Sequence, residues 1–115
     1  MSKDTFPQST PQLAEMRKKL APDVHEAFVN LSERVFAEGA LPTKTKRLIA
    51  VAAAHITQCP YCILGHTKAA LRHGASAEEI MEAIWVAAEM RAGAAYAHST
   101  LALDTIAEAK GRADA

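Results

Sequence analysis

The 115-residue chain is most informative in what it lacks. It has no excess of either charge, with 13 Lys and Arg against 13 Asp and Glu. That balance excludes a nucleic-acid module, which needs a basic face to meet phosphates. It has no run of about 18 apolar residues, so no transmembrane helix is expected. Residues 1–12 are polar and contain Pro7 and Pro11, without the apolar centre of an export signal, so the expected location is cytoplasmic. Aromatic residues make up only 5% of the chain, too few with its sparse Val and Ile for a many-stranded sandwich or barrel. Glycine and proline number five each, few enough to leave long uninterrupted segments. There are two cysteines, Cys59 and Cys62, whereas a secreted disulfide scaffold would carry more of them, spread further.

What is abundant is alanine, with 25 residues. Alanine loses no side-chain entropy in a helix, so the expected fold is all-α, a single-domain bundle of about six helices. Residues 1–20 read as an arm and a short helix, and 21–110 as the domain proper. Thr10-Pro11 opens the first helix, to about Lys19, and Pro22 opens the second, to about Ala37, each proline at a first helical position. Val24, Phe28, Leu31 and Val35 recur at helical spacing on the second. A third helix is expected over Lys44–Gln58, with Leu48, Ala52, His55 and Cys59 on one stripe. Pro60 interrupts it and starts a fourth, which Gly74 ends. Ser76-Ala77-Glu78-Glu79 is a capping box. It opens a fifth helix to about Arg91, with Ile80, Ile84, Ala87 and Ala88 inward. A sixth is expected from about Ala94 to Ala109, either joined to the fifth or parted from it where Gly93 weakens the run, with Gly111 as the stop. Side chains this short bury little area, so the protomer is expected to oligomerise.

The chemistry concentrates between His55 and His66. Cysteine reacts as thiolate. With a helix starting near Pro60, Cys62 falls in its first turn, where free amides and the positive end of the dipole favour a negative sulfur. His66 follows by four residues, on the same face, and can hydrogen-bond the sulfur or carry its proton. Cys59 is near enough for a disulfide, so the pair can cycle between dithiol and disulfide. The plainer alternative is two buried, inert cysteines. A zinc set of His55, Cys59, Cys62 and His66 is a further alternative, but along one continuous helix it would span about 16 Å, far beyond the ~2 Å reach of one ion. His55 and His98 each read as a satisfied core histidine or as a site residue, His98 on what looks like an inward stripe. Tyr61 reads as a pocket-mouth residue or a buried aromatic with a bonded hydroxyl. Glu78, Glu82 and Glu89 form a solvated face, with Glu89 a lesser relay candidate. Glu33 and Glu38 belong to the surface, and Trp85 to the core or a subunit interface.

Cys59-Pro60-Tyr61-Cys62 matches the glutaredoxin tetrapeptide, but that fold places it after a strand, and here helix-forming residues precede it. The wider context resembles the carboxymuconolactone decarboxylase superfamily, particularly its alkylhydroperoxidase D branch. The match runs from Leu41-Pro42-Thr43-Lys44-Thr45-Lys46 and Leu48–Ala52 through Gln58-Cys59-Pro60-Tyr61-Cys62 and His66–Leu71 to His73-Gly74-Ala75-Ser76-Ala77-Glu78-Glu79-Ile80. The resemblance implies an all-helical subunit in a homotrimer or homohexamer. It implies a peroxidase that reduces hydroperoxides, needs no cofactor and is recharged by a dithiol protein or small thiol. Carried over, Cys62 is peroxidatic, Cys59 resolving and His66 the relay histidine. One position departs from the pattern: the family's relay glutamate corresponds to Arg47, whose guanidinium cannot pass on a proton. Either another acid takes its place, or the peroxidase activity is weak, or the chemistry differs. The decarboxylase branch does not depend on the cysteine pair and is the alternative within the superfamily. A non-catalytic or zinc-binding helical assembly protein is the alternative outside it.

Overall fold

A computed structural model describes residues 5–114. The chain is all-helical there, with five helices: α1 (Pro11–Leu20), α2 (Pro22–Phe36), α3 (Thr43–Thr57), α4 (Pro60–Arg72) and α5 (Ala77–Asp114). Residues 1–4 of the expected arm lie outside the described residues.

Local chemistry accounts for most of the boundaries. The Thr10 hydroxyl accepts from the Leu13 amide at 3.2 Å and caps α1. Pro11, Pro22 and Pro60 stand at helix starts, where a missing N–H costs nothing. At α5 the capping box is complete: the Glu79 amide donates to the Ser76 hydroxyl at 3.0 Å, and the Ser76 amide to the Glu79 carboxylate at 2.8 Å. Glu79 also meets Lys44 of α3 at 2.9 Å. The hydrogen bond from Lys44, then that from the Ser76 backbone, hold the Glu79 carboxyl below its usual range. Gly74 turns the chain between α4 and α5 at φ +91°, where a side chain would be strained.

Two helix ends differ from expectation. The expected fifth and sixth helices are one helix of 38 residues, about 57 Å long. Gly93 is flanked by alanines and no proline follows Pro60, so its cost of about 1 kcal/mol does not stop propagation. For the same reason Gly111 is not a stop.

α3 packs against α4 and against α5, and their shared core is small. Val51, Ala70, Ala75 and Ile80 are buried together, with Leu48 and Ile84 against them. Ala54, Ala69 and Ala87 are also buried, and Val51 is the largest side chain fully enclosed. Ala88, expected inward, is exposed. The apolar stripe of α2 finds no cover among the described residues: Val24, Phe28, Leu31 and Val35 are all exposed. The radius of gyration is 20.6 Å, against roughly 13 Å for a compact domain of this length.

Candidate active site

The turn between α3 and α4 sets the position of both sulfurs. Gln58 closes α3 in the left-handed conformation (φ 57°, ψ 46°), and its amide donates to the Ala54 carbonyl. The Cys59 amide donates to the same oxygen at 3.2 Å. These two bonds wind the chain off α3 and deliver Cys59 as the N-cap of α4. There its Sγ accepts from the Cys62 amide at 3.2 Å, and its carbonyl accepts from Ile63 at 2.9 Å. Cys59 and Cys62 are joined as a disulfide, with Cα atoms 5.2 Å apart, within the ordinary span of such a bond. From the α5 side, Arg91 donates to the Ile56 carbonyl at 3.0 Å, tying the last turn of α3 to the long helix.

His66 lies one turn beyond Cys62 on α4. Its Nδ1 is 3.1 Å from Nη1 of Arg47 on α3. Phe36, the last residue of α2, completes the group. Its ring centroid is 5.3 Å from that of His66, and the Arg47 guanidinium sits over its face at 3.8 Å. Two bonds fix Phe36 there: the buried Thr43 hydroxyl donates to the Phe36 carbonyl at 2.8 Å, and Lys46 donates to the Ala37 carbonyl at 2.7 Å. Among the described residues no carboxylate pairs with Arg47 or Arg72, and the buried Nε of Arg47 has no hydrogen-bond partner. Burial, then the charge of Arg72, lowers the Arg47 pKa, though a guanidinium stays charged. Burial, then the Arg47 charge, pushes His66 below the usual histidine value.

The other singled-out residues fall elsewhere. Nδ1 of His55 is 2.7 Å from the Val51 carbonyl of its own helix. His98 does the same with Ala94 at 2.8 Å and is exposed, not inward; it sits past the point where α5 meets the core. Tyr61 is partly exposed and donates to the Pro7 carbonyl at 2.7 Å, with Phe6 edge-on at 6.0 Å. It therefore pins the N-terminal arm across the start of α4, beside a cleft lined by Gln8, Ser9, Leu64, Gly65 and Lys68. Glu89 is exposed beside Gly93 on α5 and bonds neither Arg47 nor His66. Trp85 is two-thirds exposed and is not core. Among the described residues no group of three or more His, Cys, Asp or Glu could hold a metal ion. The sulfurs bond each other, His66 turns Nδ1 to Arg47, and His55 turns Nδ1 to Val51. Phe36, Thr43 and Arg72 were not foreseen as site residues. No spacing rule links the end of α2 to Arg47, since only the tertiary fold brings them together.

Comparison with known proteins agrees with this architecture. A model of the carboxymuconolactone decarboxylase family matches residues 22–105. An uncharacterized protein of the cox locus of Paracoccus denitrificans is 55% identical over 111 residues, 96% of this chain and 99% of that one. An apo carboxymuconolactone decarboxylase family protein from Legionella pneumophila superposes with a TM-score of 0.64 at 39% identity, covering 69% of this chain and 70% of that one. A second family structure, from Thermotoga maritima, has a TM-score of 0.53 at 28% identity over 70% of this chain and 93% of its own. That protein is one possibly involved in antioxidative response.

Proposed function

Because the chain belongs to the carboxymuconolactone decarboxylase family, we propose that it is a thiol-dependent peroxidase of the alkylhydroperoxidase D type. The observation that carries this reading is the bonded pair Cys59–Cys62 at the first turn of α4, with His66 one turn on. In the reduced protein the Cys62 thiolate attacks the terminal oxygen of a hydroperoxide. An S–O bond forms, the O–O bond breaks, and the departing alkoxide takes a proton to leave as alcohol. The resulting sulfenic acid condenses with the Cys59 thiol, expelling water and forming the disulfide. An external dithiol, protein or small molecule, reopens it by exchange and is itself oxidised. The start of α4 favours the thiolate through its free amides and dipole, and the cycle needs no cofactor. No helix among the described residues is long and apolar enough to cross a membrane, and the proposed location is cytoplasmic.

The working unit in this proposal is a homotrimer or homohexamer. The isolated chain exposes 8946 Å², where a compact monomer of this size exposes roughly 6,100 Å². The excess falls in the range of obligate interfaces.

Cys62→Ser should abolish hydroperoxide consumption, and Cys59→Ser should stop after one turnover, with Cys62 held as sulfenic acid. Undiminished steady-state consumption by both variants rules the cycle out. Thiol-independent turnover of a small lactone or carboxylate by both would assign the decarboxylase type instead.

A further inference from the structure

We infer that Arg47 is a positioning residue that locks the His66 imidazole in its Nε2–H tautomer, making it a standing hydrogen-bond donor one turn on from Cys62 rather than a proton carrier. The role rests on the peroxidase reading above, but the tautomer itself does not.

A guanidinium offers donors and no acceptor. At 3.1 Å from Arg47 Nη1, the Nδ1 of His66 must therefore present its lone pair, and the proton of the neutral ring resides on Nε2. A protonated ring would set N–H against N–H and add a positive charge beside Arg47. The downward shift of the His66 pKa has the same origin, after burial.

The molecule holds its own controls. His55 and His98 turn Nδ1 toward the Val51 and Ala94 carbonyls at 2.7 and 2.8 Å. A carbonyl oxygen only accepts, so there Nδ1 keeps the proton. One residue type thus takes opposite tautomers according to its partner. Arg47 is held by the Phe36 ring at 3.8 Å. Among the described residues the charge acting on His66 is that of Arg47 from α3, which in turn feels Arg72 from α4, and the end of α2 brings the Phe36 ring.

The consequence is chemical. A glutamate at position 47 would accept from Nδ1–H and leave Nε2 free to take a proton from a thiol. Arginine reverses this. His66 can then donate to the Cys62 thiolate or to the oxygen that departs as the O–O bond breaks, while its own protonation stays constant. The proton that makes the alkoxide an alcohol comes from water.

The test is nitrogen-15 NMR of the histidine rings in the reduced full-length protein, titrated with acid, for wild type, Arg47→Glu and Arg47→Met. In wild type His66 should be neutral and Nε2–H at pH 7, titrating below its ordinary value. In Arg47→Glu the tautomer should switch to Nδ1–H and the pKa rise by about one unit or more. In Arg47→Met, which keeps bulk against Phe36, the pKa should return toward the ordinary value. The pH profile of thiol oxidation should show only the thiolate inflection in wild type and a second, from His66, in Arg47→Glu. An Nδ1–H ring in wild type, or an Nε2–H ring that persists in Arg47→Glu, overturns the inference. The NMR readout needs no turnover, so the expected tautomer without peroxide consumption would sink the peroxidase reading and leave the tautomer assignment standing.

Discussion

The two halves of α5 contrast sharply. Up to Ala87, its inward side chains meet Val51, Ala70 and Ala75 and build the core of the chain. Beyond it, Tyr96, Leu101, Leu103 and Ile106 are all more than half exposed. The first half buries Ile80 and Ala87 against the rest of the chain, while Met81, Trp85 and Val86 on its other side stay exposed. The second half has no buried side chain among the described residues. Small side chains let α3, α4 and α5 approach closely and hold the sulfur-bearing turn in register, but they bury little area. On the proposed reading, the site is built within one subunit and the missing stability comes from its neighbours.

That contrast can be broken at either end. The largest effect is expected from Leu101→Asp, which would bury an unpaired carboxylate in the proposed interface at a cost of several kcal/mol. Sedimentation should then show single subunits, and an unchanged mass would place the interface elsewhere. A smaller effect is expected in the first half, where Val51→Ala removes the one large side chain fully enclosed. It should lower stability by about 2 kcal/mol in denaturant unfolding while leaving the subunit number alone. The smallest concerns the turn before Cys59. Gln58 holds a left-handed conformation that glycine adopts without strain. Gln58→Gly should therefore be stabilising by roughly 0.5–1 kcal/mol. A loss instead would mean that the Gln58 side chain makes a contact worth more than the strain.

Much of this was legible in the sequence because it is local. Prolines at helix starts, the Ser76–Glu79 capping box, Gly74 and the Cys59 N-cap are each set by neighbours within four residues. The same holds for the placement of Cys59, Cys62 and His66 around one helix start. Two things were not legible. Helix continuity through Gly93 depends on a sum of small propensities in which one glycine is outvoted by its alanines. The surroundings of His66 depend on long-range packing. Arg47 was visible as a departure from the family pattern, but its bond to His66 and its seat on Phe36 require α2, α3 and α4 to converge. An inward periodicity was also misread for Ala88 and His98, because the helix outruns the core it packs against.

The central claim is that Cys59 and Cys62 form a redox couple driven by hydroperoxide, and intact-mass spectrometry tests it directly. The fully reduced protein is treated with one equivalent of hydroperoxide at neutral pH and weighed before and after. A loss of about 2 Da per subunit is expected, reversed by a dithiol and absent in Cys62→Ser. An unchanged mass, or a loss that persists in Cys62→Ser, would contradict it.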